Sequence, residues 1–198
     1  TSDRPVMIGQ IQILDLEDLA SAAQEVVSNK KQLISLANET AGSIVRRGGG
    51  VLDIELRTLP ESRVGPMLVV HVLIDTRDAM GANVVNTVVE HIAPEIERLT
   101  GGRVHLRILS NLSDLRKARA SGTIPASELT RDGIDGYEVA KSIVEAAVFA
   151  EIDPYRAATH NKGVMNGIDA VVIATGNDWR AIEAGAHAFA ARSGSYTS

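Results

Sequence analysis

Hydrophobic and polar positions alternate along Met7–Leu14, with Ile11 and Ile13 set against Gln10 and Gln12, the pattern of a half-buried strand. Asp15 then offers a helix cap, with Asp18 three residues on, ahead of Leu16, Leu19, Ala23, Val26, Val27, Leu33, Ile34 and Ala37 at helical spacing. The glycines Gly48–Gly50 break the chain. Val51–Leu59 alternates again, Leu52, Ile54 and Leu56 opposing Asp53, Glu55 and Arg57, and a turn at Pro60–Pro66 leads to a third strand, Met67–Asp75. So short a link predicts an antiparallel hairpin. Asn83–Leu99 places Val85, Val88, Val89, Ile92, Ile96 and Leu99 on one helical face, with a kink expected at Pro94. Arg103–Ser110 alternates Val104, Leu106 and Ile108 with Arg103, His105 and Arg107.

The resulting order, β-α-β-β-α-β, is the ferredoxin-like plan of two helices on one face of a four-stranded antiparallel sheet, within an α+β fold class. Past Ser110 the character changes, and a boundary is expected there. Asp114–Arg119 reads as a polar helix, Ser121–Pro125 as a loop and Ile134–Ala150 as an Ala-rich helix. Ala170–Ala174 suits strand by its Val-Val-Ile and helix by its small flanking residues, and Trp179–Arg192 reads as helix.

Composition narrows the partners. A net charge of −5 and 3% aromatic residues over 198 residues argue against nucleic acid, which calls for a basic face and stacking rings. The absence of cysteine excludes disulfides and thiolate metal sites and fits a reducing, cytoplasmic setting. No apolar run approaches the ~18–20 residues of a membrane span, so no membrane partner is expected.

Candidate chemistry concentrates in Arg156–Arg180, where Arg156, Lys162, Asn166 and Asp178 stand among Gly163, Gly167 and Gly176. Lys162 and Asp178 would lie ~24 Å apart on one continuous helix, and so meet only if the chain turns back, with Gly167 and Gly176 as the turning points. Taken alone, Asp178 reads as a helix cap, Lys162 as a solvated cation and Arg156 as a surface ion-pair partner. Asp78–Asn83 runs from a strand into a helix, where backbone amides can receive a phosphate, or where glycine merely makes a tight bend. Arg46-Arg47-Gly48-Gly49-Gly50 precedes a strand rather than a helix and reads mainly as a turn. His160 and His187 lack metal-ligand spacing, and no metal site is expected.

The segments DAMGAN (78–83), ILSNLSDLRKARA (108–120), DPYRAATHNKGVMNGID (153–169) and ATGNDWRAIEAGAHA (174–188) closely resemble the class II, bacterial type of hydroxymethylglutaryl-coenzyme A reductase. The resemblance covers nearly the whole chain. It implies a homodimeric oxidoreductase that interconverts hydroxymethylglutaryl-CoA and mevalonate plus CoA by two hydride transfers with NAD or NADP. Its ferredoxin-like small cofactor domain (5–110) would be inserted in a mostly helical large catalytic domain, of which 111–198, with 1–4 as linker, form part. By the motif match Lys162 would be catalytic and Asp178 its carboxylate partner. Arg156 and Asn166 would hold the substrate, and Asp78, Ala79, Met80, Gly81, Asn83 and Asn111 would border the cofactor. Residues 169–175 become helix on this basis.

Two features of the family's pattern are not found in these residues: its Glu-Asn-Val-Ile-Gly motif and its late catalytic histidine. The chain is therefore expected to be a central piece, inactive alone. NAD-preferring relatives carry an acid where Thr40-Ala41-Gly42 stands; Glu39 could replace it, or Arg46 or Arg47 could meet a 2′-phosphate. A non-catalytic small-molecule-binding regulatory module is the competing reading, less suited by the presence of both Lys162 and Asp178.

Overall fold

The computed structural model describes residues 1–198, which divide into two compact units, Ser2–Ala118 and Thr1 with Arg119–Ser198. The first unit contains β1 (Val6–Leu14), α1 (Leu19–Ser28), α2 (Lys30–Thr40), the short α3 (Gly42–Val45), β2 (Gly50–Leu59), β3 (Met67–Asp75), α4 (Ala82–Thr100) and β4 (Arg103–Leu109). The strands form one antiparallel sheet in the order β2-β3-β1-β4. Ile11 lies opposite Val70 and Ile13 opposite Leu68, so β1 is paired on both sides at the centre. One sheet face, with Ile11, Ile13, Ile54, Val70, Val72 and Ile74, packs on Val26, Leu33 and Ala37 of α1 and α2 and on Val85, Val88, Val89, Ile92 and Ile96 of α4. Each buried aliphatic side chain contributes about 1.5–3 kcal/mol, so this closed cluster carries the unit's stability. Val6, Ile8 and Leu73 form a smaller buried group on the opposite face.

Several local expectations are corrected. The helix cap is Asp18, whose carboxylate accepts from the Ala20 amide at 2.9 Å; Asp15 instead turns the chain at φ 56° and binds Arg103 at 2.8 Å. The first helical stretch is interrupted at Asn29, which ends α1 and begins α2. Thr40–Gly42, where the relatives' acid would stand, is the junction of α2 with α3. A register shift between Val51 and Asp53 turns Leu52 outward, leaving Val51, Ile54 and Leu56 on the core side. A second irregularity, at Ile11–Ile13 against β4, exposes Leu106 and Ile108; Arg107, aligned with core-facing Ile11, meets Glu90 of α4 at 2.6 Å. Alternation fails at these positions because a bulge inserts a residue and reverses the faces beyond it.

Asp114–Arg119 is not a helix. Its backbone is taken by the N-terminus of the chain: the Asp3 amide donates to the Lys117 carbonyl at 2.8 Å, and Ser2 bridges Ala118. α4 continues through Pro94, which lies on its exposed side.

The second unit is helical, with a 3₁₀ turn at Ala126–Leu129, then α5 (Gly136–Ile152), α6 (Pro154–Ala174) and α7 (Trp179–Ala190). Each long helix starts on an aspartate whose side chain accepts from the first-turn amides: Asp135, Asp153 and Asp178. Pro154 at the first turn of α6 fits there, since its missing N–H would have no helical partner. Residues 170–174 are helical, as the family resemblance implied. The closing segment is tied to the helices by the Asn161 amide donating to the Thr197 carbonyl at 2.9 Å and by His187 Nδ1 with the Tyr196 hydroxyl at 2.7 Å. His160 pairs with Ser198. No helix of either unit is long and apolar enough to cross a membrane.

Candidate functional site

Chemistry-bearing residues gather at one place in each unit. In the sheet unit it is the connection from β3 to α4. Strand β3 ends on Asp75, a fully buried carboxylate that accepts from Arg4 Nε at 2.6 Å and from the Arg77 amide at 2.9 Å. Burial pushes this carboxyl up, but the Arg4 and Arg77 hydrogen bonds and the charges of both arginines outweigh it and hold it below the ordinary carboxylate range. Arg77 itself adopts φ 53° and its guanidinium reaches the Gly48 carbonyl, tying the triple-glycine turn to this connection. Gly49 is packed so closely that a Cβ would stand 2.5 Å from the Asp75 carbonyl oxygen.

The connection then exposes Asp78 and Met80 and buries Gly81, which begins α4 at φ 99°. A Cβ on Gly81 would meet Thr76 Cγ2 at 2.7 Å, so both conformation and space require glycine. No side chain caps α4. Its first amides thus face outward at the positive end of a 19-residue helix, a setting that favours anions. Asn83 is exposed on the first turn. Asn111 is exposed just past β4, at the same end of the sheet: the Leu109 amide donates to Asn86 of α4 at 3.0 Å. Asp78, Ala79, Met80, Gly81, Asn83 and Asn111 thus lie at the same end of the sheet.

In the helical unit, Arg156, Lys162 and Asn166 all lie on α6. At ~100° per residue they share an arc of about 120°, with Gly163 between them. α7 packs on the opposite side, where Asn161, Val164, Met165 and Ile168 face Ala186, His187 and Ala190 around a pocket of about 120 Å³. Lys162 and Asn166 are consequently left exposed, and a Cβ on Gly163 would meet nothing within 4 Å.

Lys162 and Asp178 are not brought together within the chain. Gly167 is no turning point, because α6 runs straight through it. From Lys162 to the end of α6 is about 18 Å of helix, and the chain turns only at Thr175–Asn177, with Gly176 at φ 71°. Asp178 caps α7, accepting from Arg180 and Ala181 at 3.1 and 3.2 Å. Nothing in the spacing singled out Arg116, Asp75 or Arg77, since each acts through tertiary contacts. No cluster of three or more His, Asp or Glu is placed to hold a metal.

Residues 1–197 match the family model for hydroxymethylglutaryl-coenzyme A reductase. The chain is 52% identical to the 3-hydroxy-3-methylglutaryl-coenzyme A reductase of Archaeoglobus fulgidus over 96% of this chain and 42% of that protein. It is 36% identical to a probable reductase of the same name from Borreliella burgdorferi over 76% of this chain and 34% of that protein. A solved structure of the Streptococcus pneumoniae reductase superposes with a TM-score of 0.92 at 43% identity, covering 100% of this chain and 53% of that one. A class II structure from the same organism, described as bound to NADPH in open conformations, superposes with a TM-score of 0.91 at 43% identity, covering 100% of this chain and 47% of that one. The chain thus spans about half the length of the relatives it matches.

Proposed function

Because the chain belongs to the class II hydroxymethylglutaryl-coenzyme A reductase family, we propose that the protein carrying it interconverts hydroxymethylglutaryl-CoA and mevalonate plus CoA with NAD or NADP. The observation that carries this reading is the shared face of Arg156, Lys162 and Asn166 on α6, within a chain matched by the family model over residues 1–197.

The unit Ser2–Ala118 is read as a ferredoxin-like cofactor domain, supported by its all-antiparallel order β4-β1-β3-β2 with helices packed on one face. Within that unit we assign 5–110 to the cofactor domain proper and 111–198, with 1–4, to the large catalytic domain, so residues 2–4 and 111–118 are large-domain segments packed with the sheet unit. The Asp78–Asn83 rim suits a nicotinamide dinucleotide: the α4 start, uncapped by any side chain, offers its first amides to a pyrophosphate, on a bend that Gly81 closes against Thr76. Asp78, Ala79, Met80, Gly81, Asn83 and Asn111 would hold it. When bound, it supplies the hydride.

In this mechanism Arg156 forks onto the substrate carboxylate, a planar bidentate match that lysine does not offer. Asn166, one turn from Lys162, holds a neighbouring oxygen. Lys162 donates to the reacting carbonyl oxygen and stabilises the charge that builds on it as hydride arrives. Asp178 holds that lysine by a charge-assisted hydrogen bond. Since about 18 Å of helix separates Lys162 from the end of α6 in one chain, we assign the pair to a homodimer in which Asp178 of one copy meets Lys162 of the other. Residues 1–198 alone are inactive on this reading, because neither the family's glutamate motif nor its late histidine is among them. The protein acts in the cytoplasm.

The test is absorbance at 340 nm with the full-length protein, hydroxymethylglutaryl-CoA and either reduced nicotinamide. Lys162→Ala is expected to lower kcat by about 10²–10³-fold or more while substrate still binds. Unchanged turnover in that variant would remove Lys162 from its role, and no absorbance change in the parent would remove the reaction.

A further inference from the structure

Arg116 lies outside every role assigned so far, yet it holds the connection on which the cofactor reading depends. Its Nη1 is 3.3 Å from Thr76 Oγ1, 3.2 Å from the Ala79 carbonyl and 3.1 Å from the Met80 carbonyl. Thr76 is fully buried, and its hydroxyl also donates to the Ala79 carbonyl at 3.2 Å. The guanidinium therefore binds one connected set of acceptors inside the bend from β3 to α4.

The consequence follows from peptide geometry. In a trans peptide the carbonyl and the following N–H point in opposite directions, and no cis peptide occurs in the chain. With the Ala79 and Met80 carbonyls drawn to Arg116, the amides of Met80 and Gly81 point away from it. They join the uncapped amides that open α4. Gly81 at φ 99°, closed against Thr76, holds the second of these peptides in place.

We propose that Arg116 is a positioning residue for the nicotinamide cofactor: it fixes the Ala79 and Met80 carbonyls inward so that the Met80 and Gly81 amides are presented to the dinucleotide pyrophosphate. This rests on reading Asp78–Asn83 as the cofactor rim. Arg116 touches neither substrate nor cofactor in this role. All three contacts are made by Nη1, one bond farther from the backbone than a lysine Nζ, so a lysine reproduces the arrangement only in part.

The experiment uses the full-length protein with Arg116→Ala, Arg116→Lys and Gly81→Ala. It measures NADH and NADPH binding by nucleotide fluorescence, KM for nucleotide and for hydroxymethylglutaryl-CoA, kcat and the unfolding midpoint. Arg116→Ala is expected to weaken nucleotide binding about tenfold or more, the effect of losing charge-assisted hydrogen bonds. KM for hydroxymethylglutaryl-CoA stays within about twofold, Arg116→Lys is intermediate, and added guanidinium restores part of the affinity of Arg116→Ala. If Arg116→Ala does not fold, Arg116→Lys decides. The proposal is overturned if folded Arg116 variants bind nucleotide like the parent while Gly81→Ala weakens it, or if both KM values rise together. If Gly81→Ala and both Arg116 variants all leave nucleotide binding unchanged, the rim itself is misassigned.

Discussion

At the residue scale, Asp75 is the most constrained ionisable group of the sheet unit. It has no exposed surface, while its partners Arg4 and Arg77 keep about half and two fifths of their side-chain surface in water. The arginines can be re-solvated if the pair breaks, but the carboxylate cannot. Its folded-state titration lies below that of an unfolded carboxylate. A depressed value contributes stability that is complete above the ordinary range of about pH 4 and is lost as pH falls through the folded value. Asp75→Asn is expected to cost about 1.5–3 kcal/mol near neutral pH, since hydrogen bonds to a charged group disappear. It should also flatten the fall in stability below about pH 4. Urea unfolding at several pH values checks both; identical pH profiles for parent and variant would contradict the assignment. Asp53, lowered chiefly by its hydrogen bond to Lys30, is present in both proteins and cancels in the comparison.

At the element scale, α6 bears two glycines where a helix gains nothing from them. A Cβ on Gly163 or Gly167 would meet no atom within 4 Å, so neither is required by packing inside this chain. Gly163→Ala is expected to stabilise the helical unit by about 0.5–1 kcal/mol, the usual helix-interior difference. In the full-length protein the same change should lower kcat/KM, because the added methyl stands on the face of Lys162 and Asn166. A stabilised variant with undiminished turnover would show that nothing approaches that face. The contrast explains what sequence could and could not reveal. Strand and helix identities were legible from β1 to β4 because much of each element has a drier and a wetter face, which alternation and helical spacing record, although β1 and β3 are buried on both faces where Val6, Ile8 and Leu73 meet. Leu52, Leu106 and Ile108 were misplaced because a bulge reverses facing without altering composition. Asp114–Arg119 was misread because the backbone groups of Lys117 and Arg119 bond Asp3 and Thr1, more than 100 positions away. The positions of Lys162 and Asp178 were legible as motifs, but their separation was not, since that depended on whether Gly167 bends α6.

At the scale of the whole molecule, the two units differ in how much apolar surface they close. The sheet unit buries a continuous cluster from Met7 to Val104. In the helical unit only Ala150, Ala157 and Met165 are buried among apolar side chains, while Tyr137, Val144, Val148 and Ile152 are 74%, 61%, 45% and 76% exposed. These four fall within about 80° of one another around α5, and Ile143 and Phe149, 55% and 51% exposed, extend the apolar surface to its flanks. Ala150, by contrast, is buried on the other side of the same helix. Apolar surface of this kind favours association over hydration, and nothing within the helical unit covers it. The chain studied alone should therefore self-associate with rising concentration in sedimentation velocity, and bind a hydrophobic dye. Val144→Glu with Val148→Glu should shift it toward monomer, because a buried carboxylate pair along one stripe is strongly disfavoured. Residues 2–118 alone should remain monomeric and unfold cooperatively, since their core is complete without the helices. A monomeric 198-residue chain at high concentration, or association unaffected by the two glutamates, would place the cohesive surface elsewhere than α5.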